Sequence, residues 1–434
     1  MDPPGPELEP LEVAHHPPAA TTPSRDRPSP RDRRRVVALG GAVVVLVSTV
    51  ALGLLNRGGA DGESTVEEAQ PASWTGAPNG DEPAPAGWRR GHPGLIPSRN
   101  GAAVVWTGSN LLVWGGDPPG EGVPAGAAYD PFADRWRLMA PAPFPLRTGA
   151  AAAWTGFEMV LWGGYEPGRG APATGGAYDP VADRWRTMAP APLSPGIPVT
   201  AVWTGGQFAV LGVDPGLGQE VSPEAAAYDP AADRWRRLPP LPVTLTAATA
   251  LWTGSEVVVI GAPLRPHELP ADQANRSPAL AYDPAGDRWR VLPSPPLASP
   301  PPAAAAVWTG DEIVAWDYEL HAARFDPALG LRARWSGLPD LPLEFRDCEP
   351  QGAAAAGVVF AEHCGQGAVY RPGTNAWQVV PHPHGLSVRP VWTGDELLFW
   401  TGRFVASADG IWRYRVPPPR PVGPVPPVLG SRRR

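Results

Sequence analysis

Short apolar runs, each broken by turn residues, recur along most of this chain. The first two runs occupy residues 103–106 and 111–114, with a Thr-Gly turn between them. A second pair of short strands, which carry Tyr129 and Trp136, flanks Asp130-Pro131, where proline presets a turn and aspartate caps it. Runs of this length with bulky β-formers predict strands. The pattern therefore predicts two hairpins that form a four-stranded antiparallel unit.

The four-stranded unit repeats with a regular period. Trp-Thr-Gly triplets begin at residues 106, 154, 203, 252, 308 and 392, so the first intervals are 154 − 106 = 48, 203 − 154 = 49 and 252 − 203 = 49 residues. One sheet of this size cannot bury its own faces, so neighbouring sheets must stack. A period of roughly 40–50 residues with four strands per unit is typical of a β-propeller.

The landmarks within each unit resemble those of kelch repeats. In the first complete unit they are Gly115-Gly116 after the second strand, Tyr129 in the third strand and Trp136 in the fourth. The resemblance implies an all-β, kelch-type β-propeller of the galactose-oxidase central-domain-like superfamily. Kelch propellers include binding modules as well as copper oxidases and sialic-acid epimerases, so the resemblance indicates a fold more strongly than a function.

We count seven blades between residues 86 and 416, with six as the alternative. The last unit, residues 392–414, lacks a fourth strand, whereas Trp88 precedes the first complete unit. Trp88 lies 99 − 88 = 11 residues before Arg99, and Trp136 lies 147 − 136 = 11 residues before Arg147. Trp88 is therefore in register with the fourth-strand tryptophans, and we predict that its strand joins the last blade and closes the ring.

Arginines flank each fourth-strand tryptophan, as Arg135 and Arg137 flank Trp136. Alternation along a strand places both arginines on the face opposite the tryptophan. We interpret them as charges that stop the outer strands from pairing with other sheets. A polyanion-binding stripe is the alternative.

An uninterrupted apolar run without charge occupies residues 36–55. As a helix it would span roughly 30 Å, the thickness of a bilayer core. Six arginines lie within residues 25–35, whereas only Arg57 follows the run closely. By the positive-inside rule we predict a single-pass, uncleaved signal anchor in the cell membrane, with the N-terminus cytoplasmic and the propeller extracytoplasmic. Cleavage after the run is the alternative.

The remaining segments are polar or rich in proline. Residues 1–35 are predicted to be a disordered cytoplasmic tail, residues 56–85 a flexible spacer and residues 417–434 a disordered tail rich in proline and arginine. The chain has 43 acidic and 36 basic residues, a net charge of −7, which argues against a nucleic-acid partner. The predicted partners are the membrane, through the single helix, and a glycan or protein ligand.

Candidate ligand-binding residues fall in the connections between second and third strands and between blades. These connections share one face of the ring, here called the variable face, and they differ in length and content. Loops of this kind on a rigid scaffold usually hold binding sites. Arginine presents donors to anionic groups and histidine adds a polar ring, so the candidates are Arg99, Arg147, Arg346, His267 and His384. The alternative for the arginines is that they donate to loop carbonyls between blades. The opposite face, here called the turn face, carries the uniform turns.

These observations predict a binding module for a glycan or protein. A kelch-fold carbohydrate enzyme, oxidase- or epimerase-like, is the alternative. No residue pair has the spacing of a nucleophile and base, no histidines have metal-ligand spacing, and we predict neither a metal nor a cofactor.

The only two cysteines, Cys348 and Cys364, are predicted to form a disulfide bond. The first hairpin of the sixth unit turns near residue 356, and (348 + 364)/2 = 356, which places the two residues opposite each other. Opposed residues in an antiparallel ladder have Cα atoms about 4.5–5.5 Å apart, within reach of a disulfide. Export supplies the oxidising environment. Two free thiols or a metal pair are the alternatives.

Overall fold

The computed structural model describes residues 44–45, 84, 86–97, 99–117, 123–216, 220–264, 277–297, 305–344, 350–355, 357–383, 390–400 and 411–416. These residues form seven antiparallel sheets, each containing the four strands of one blade, and the sheet of the third blade has residues 44–45 as a fifth strand. The protein is therefore an all-β, seven-bladed β-propeller. This confirms the predicted count of seven and shows that the alternative of six is wrong.

The strands are numbered in chain order, and blades one to six take four consecutive strands each, starting from β3. They are β1 (Val44–Val45), β2 (Trp88–Arg90), β3 (Ala102–Trp106), β4 (Leu111–Gly115), β5 (Gly126–Asp130), β6 (Arg135–Leu138), β7 (Ala151–Trp154), β8 (Met159–Trp162), β9 (Gly175–Asp179), β10 (Arg184–Thr187), β11 (Ile197–Trp203), β12 (Phe208–Asp214), β13 (Ser222–Asp229), β14 (Arg234–Leu238), β15 (Leu245–Trp252), β16 (Val257–Pro263), β17 (Ala279–Asp283), β18 (Arg288–Leu292), β19 (Ala305–Trp308), β20 (Ile313–Trp316), β21 (Ala322–Phe325), β22 (Trp335–Leu338), β23 (Gln351–Ala355), β24 (Val358–His363), β25 (Gln366–Arg371), β26 (Ala376–Val380), β27 (Pro390–Trp392), β28 (Leu397–Trp400) and β29 (Ile411–Tyr414). A 3₁₀ helix (Pro327–Arg332) replaces the turn between β21 and β22.

Blade seven is completed by the strand that comes first in the propeller. β2 pairs antiparallel with β29, with Trp88 opposite Tyr414 and Arg90 opposite Trp412. The sheet order is β2-β29-β28-β27, so β2 is the outermost strand of this blade. The predicted closure by the N-terminal strand is confirmed, and it removes the open edge that β29 would otherwise present.

The predicted membrane span at residues 36–55 lies almost wholly outside the described residues. Its described part is β1, which pairs antiparallel with β11 through Val44–Val202 and Val45–Ala201. Within the described ranges, no helix has the length and apolar character needed to cross a bilayer. The signal anchor stays a prediction.

The turns between third and fourth strands follow directly from their sequence. In blade one, Asp130 Oδ1 accepts the backbone N–H groups of Phe132 (2.9 Å) and Ala133 (3.0 Å). Asp134 closes this turn in the left-handed conformation (φ 47°), which aspartate and asparagine adopt more readily than most residues. The same conformation recurs at Asp183, Asp233, Asp287 and Asn375.

Apolar side chains fill each seam between adjacent blades. One cluster of buried residues lies at each of the seven seams. At the seam of blades one and two, for example, Trp114 packs with Met159 and Tyr178. Because every blade buries both faces against its neighbours, the ring forms one continuous core.

The fourth-strand tryptophans bind each blade to the preceding one. Each indole N–H donates to a backbone carbonyl of the preceding blade, at 2.5–3.0 Å. The accepting residue lies four positions after the fourth-strand tryptophan of that preceding blade. The seven bonds are Trp136 to His92, Trp185 to Ala140, Trp235 to Ala189, Trp289 to Pro239, Trp335 to Pro293, Trp377 to Pro339 and Trp88 to Pro381. The last of these joins the two ends of the propeller.

One set of the flanking arginines also binds neighbouring blades. Arg137 of blade one donates to the Tyr178 hydroxyl of blade two (3.0 Å), and that hydroxyl donates to Asp183 (2.5 Å). Burial, and then the bond to Asp183, raise the pKa of Tyr178 to about 12. Arg186 and Arg236 make the same contact to the next blade. These three arginines therefore also stabilise the seams, and their role as edge charges on the outermost strands stays a prediction.

Candidate functional site

Arg99 lies at the start of blade one on the variable face, with its side chain turned into the loop between β4 and β5. Nη1 donates to the carbonyls of Gly115 (3.3 Å) and Ala125 (3.2 Å), and Nη2 donates to Pro124. Arg99 is 2% exposed, and its burial lowers the pKa of the guanidinium. The described contacts hold the loop of its own blade, and a role in ligand binding stays a prediction.

Arg147 occupies the equivalent position in blade two and is equally buried. Nε donates to Glu166 Oε1 (3.0 Å), while Nη1 and Nη2 donate to the Thr174 carbonyl (2.6 Å) and hydroxyl (2.8 Å). Burial lowers the pKa of Arg147, and the Glu166 carboxylate opposes that shift. Arg147 therefore binds the Glu166–Thr174 loop, and ligand binding by this residue stays a prediction too.

The other three predicted ligand residues, Arg346, His267 and His384, lie outside the described residues. A described histidine of the variable face, His321, has Nδ1 3.3 Å from Asp317 Oδ2 and 3.7 Å from Glu319 Oε2. Among the described residues, no group of three or more histidine, cysteine or acidic side chains is placed to hold a metal ion.

A layer of large apolar side chains lies at the variable-face end of the second strands. In blade one this residue is Trp114, whose ring contacts Trp185 of the next blade at 5.4 Å between centroids. Trp114 lies three positions after Leu111, the second-strand residue that pairs with the third-strand Tyr129. The equivalent residues in other blades are Trp162, Leu211, Ile260, Trp316 and Trp400.

Blade six breaks this layer with a carboxylic acid. Val359 pairs with the third-strand Tyr370, so three positions later Glu362 stands where the other blades carry a large apolar residue. Glu362 is fully buried, and its Oε1 accepts the Gly365 N–H at 2.6 Å. Oε2 has no hydrogen-bond partner among the described residues. Burial raises the pKa of Glu362 to about 8, so the carboxyl is mostly protonated at neutral pH.

Two further polar side chains lie on the same side of blade six as Glu362. Gln351 pairs directly with Glu362, and its Oε1 has no partner within the described part of the chain. Gly367 also pairs with Glu362, and a methyl group on its Cα would lie 3.0 Å from Cδ2 of His382. Opposed residues on a sheet face are close neighbours. Gln351, Glu362 and His382 therefore form a buried polar cluster, which we call the seam cluster.

His382 contacts a fourth-strand tryptophan where four other seams have a pair of tryptophans in edge-to-face or tilted contact. Its ring contacts Trp88 of blade seven at 4.7 Å and Phe399 at 6.0 Å between centroids. The equivalent tryptophan contacts elsewhere are Trp114–Trp185, Trp162–Trp235, Trp316–Trp377 and Trp400–Trp136. The seam cluster is thus a polar substitution for an aromatic pair at the seam of blades six and seven.

The residues of the seam cluster were not among the predicted site residues. The sequence contains a signal for Glu362, namely its distance from the tyrosine landmark of its own blade. The spacing between Glu362 and this tyrosine can be interpreted only once the strand pairing of blade six is known. Gln351 and His382 carry no comparable signal, because they reach Glu362 from another strand and from the connection after β26.

The predicted disulfide lies beyond the described ladder of the first hairpin of blade six. The pairs of β23 and β24 begin at Gln351–Glu362, and Cys364 lies in the tight turn after β24, with φ 49°. The described residues include no free cysteine, Cys348 lies outside them, and the Cys348–Cys364 bond stays a prediction.

The fold defines the class of this protein as a seven-bladed β-propeller with irregular connections on one face. No family model and no curated protein matches the chain. The kelch assignment therefore rests on the resemblance of the repeat landmarks alone.

Glu362 is expected to make the stability of the protein fall as the pH rises. Below its usual pKa of 4.5 the carboxyl is protonated in both folded and unfolded chains. Between 4.5 and about 8 only the unfolded chain ionises, which costs roughly 1.4 kcal/mol of stability per pH unit. Chemical denaturation from pH 4.5 to 9 should show this slope in the wild type and its loss in Glu362→Gln. The exposed Asp395→Asn is the control, and equal slopes in all three proteins would contradict the assignment.

Proposed function

We propose that this protein is a membrane-anchored, extracytoplasmic kelch propeller that binds a glycan or protein ligand on its variable face. The observation that carries the proposal is the seam cluster. The other six blades each carry a large apolar residue at the variable-face end of the second strand. Blade six instead buries the acid Glu362 there, and its Oε2 has no hydrogen-bond partner among the described residues. Leaving a buried polar group unpaired costs about 1–3 kcal/mol, so a hydrogen bond from a ligand to Oε2 would be favourable.

The chemistry of the cluster suits a polar ligand. A protonated carboxyl, an amide and an imidazole each offer both a donor and an acceptor, the pattern that recognises hydroxyl and amide groups. The connections that leave the strands at this end, residues 345–349, 384–389 and 401–410, lie outside the described residues. The seven tryptophan bonds and the continuous core hold the strands beneath them rigidly, which favours a preformed site.

The ligand proposal is tested by labelling the purified full chain and screening it on a glycan array. Affinity for each bound glycan is then measured for Gln351→Ala and Glu362→Ala, which should weaken binding at least tenfold. Asp395→Ala, an exposed acid on the turn face of blade seven, should leave the affinity unchanged. A glycan whose affinity falls with Asp395→Ala but not with the two seam variants contradicts the site. If no glycan binds, the glycan ligand is excluded and the proposed ligand is a protein.

One observation favours the second candidate, a carbohydrate-active enzyme. A carboxyl that stays protonated near neutral pH is the form required of a general acid, and the pKa of Glu362 is raised to about 8. Oxidase and sugar-epimerase assays on the wild type and on Glu362→Gln separate the two candidates. Turnover that disappears in the folded Glu362→Gln variant would favour the enzyme.

The anchor proposal rests on the apolar run at residues 36–55 and the arginines that precede it. Protease added to intact cells is expected to remove the propeller and leave a short fragment in the membrane. A propeller protected until the cells are lysed, or released into the medium without protease, contradicts the anchor. Export would also let a Cys348–Cys364 bond persist, and resistance of both thiols to alkylation before reduction checks it.

A further inference from the structure

A groove of about 480 Å³ lies on the turn face, opposite the proposed ligand site. Turns of blades one and two form its walls, and Trp154, Phe157, Pro180 and Val181 contribute apolar surface to it. Asp179 and Asn110 add a charge and an amide. The groove therefore combines aromatic and apolar surface with polar side chains, among them the acids Glu158 and Asp179.

Two of the apolar side chains of this groove, Phe157 and Val181, are not part of the repeat. Phe157 is 83% exposed and Val181 is 94% exposed, and neither belongs to the apolar core between adjacent blades. The positions equivalent to Phe157 in other blades are Ser109, Gly206, Ser255, Asp311 and Asp395. Those equivalent to Val181 in blades three and four are Ala231 and Ala285. Phe132, the blade-one equivalent of Val181, is also exposed but lies outside the groove. The groove brings two such exposed apolar side chains together, Phe157 and Val181, and an exposed apolar patch indicates a docking surface.

The chain itself supplies a segment of matching chemistry. Residues 417–434 contain seven prolines, four arginines and no acidic residue. Proline-rich segments favour the polyproline II conformation, and aromatic-lined grooves recognise it with little loss of entropy. The arginines of the segment are complementary to Asp179 and to the aspartates that recur in the turns of this face.

The position where this segment begins places it close to the groove. It follows β29, which ends on the turn face, and Arg413 of β29 donates to the Tyr129 hydroxyl of blade one at 3.1 Å. Only blade one therefore separates its start from the groove, a distance on the order of 10–20 Å for sheets packed about 10 Å apart. Eighteen residues (434 − 416) in polyproline II conformation reach about 56 Å. Residues 417–434 are therefore long enough to reach the groove.

We propose that residues 417–434 bind in this groove, with prolines against Trp154 and Phe157 and arginines near Asp179. The propeller then carries its own ligand for the turn face, and any other partner of this groove must displace it. This inference does not depend on the proposed ligand at the variable face. It adds a second, internally occupied binding surface.

The test uses a fluorescent peptide of residues 417–434 and two proteins, the full chain and a chain that stops at Val416. The shorter chain keeps every described strand. Fluorescence anisotropy should show saturable binding to the shorter chain, at least tenfold tighter than to the full chain, because the attached segment competes at a high effective concentration. Phe157→Ser in the shorter chain should weaken binding at least tenfold. Phe132→Ser is the matched control, because Phe132 is also 83% exposed on the turn face but does not line the groove.

Three results would overturn the inference. The first is no saturable binding to the shorter chain, with folding verified by its circular dichroism. The second is equal loss of affinity in Phe157→Ser and Phe132→Ser, which would mean that the groove is not the site. The third is equal affinity for both chains, or a full chain that dimerises with concentration, which would mean that the groove takes a segment from another molecule.

Discussion

Trp88→Ala is expected to lower the free energy of unfolding by about 3–5 kcal/mol, the usual cost of emptying a buried tryptophan site. The Trp88 ring packs against Phe399 (4.7 Å) and Tyr414 (4.8 Å) between centroids, and its indole N–H donates to the Pro381 carbonyl at 2.5 Å. These contacts join β2 to the blade formed by the last strands of the propeller. Denaturant unfolding of the full chain, followed by near-UV circular dichroism, measures the loss.

Trp335→Ala is the matched control for the closure. Trp335 makes the same bond, to the Pro293 carbonyl at 2.8 Å, but at an internal seam and with a more exposed ring. Its loss should be smaller, because less apolar surface is emptied and no chain end is released. A cost at Trp88 no greater than that at Trp335 would show that the closing strand contributes little.

Arg147→Ala is expected to cost about 3–5 kcal/mol, the typical result of removing one partner of a buried ion pair. The substitution leaves Glu166 buried without its counter-charge, and it removes the donors to Thr174. Thermal and denaturant unfolding should both report the change. Arg184→Ala, at an exposed position of β10, should stay within about 0.5 kcal/mol of the wild type.

A double substitution separates the charge from the packing at this site. Arg147→Met with Glu166→Gln should recover part of the loss, because no charge remains buried. If Arg147→Ala is as stable as Arg184→Ala, the loop contacts contribute nothing. In that case the arginine would be free to serve the ligand role that its position at the variable face predicts.

The seam contacts explain why the sequence predicted some residues well and misjudged others. Trp136 and Arg137 are adjacent and recur together, so the pattern alone assigns both to an outer strand. Alternation correctly puts them on opposite faces, but it does not say what lies there. The hydroxyl of Tyr178 that receives Arg137 is 41 residues further along the chain, and this distance exceeds the range over which a strand pattern carries information.

The candidate site was harder to predict than the fold for the same reason. Glu362 looks like an ordinary polar residue near a strand end until the pairing of Val359 with Tyr370 fixes its place in the apolar layer. His382 enters the cluster from a connection, where no periodicity exists.

The sequence by itself determined the strand pattern, the period of the repeat, the seven blades and the closing role of Trp88. Each of these follows from local turn chemistry, from alternation and from a spacing that recurs. The tertiary structure alone decided that Arg99 and Arg147 hold the loops of their own blades, that Gln351 and His382 lie on the same side of blade six as Glu362, and that turns of blades one and two form a groove. These are contacts between strands and blades, and their register depends on how the repeats stack rather than on any single repeat.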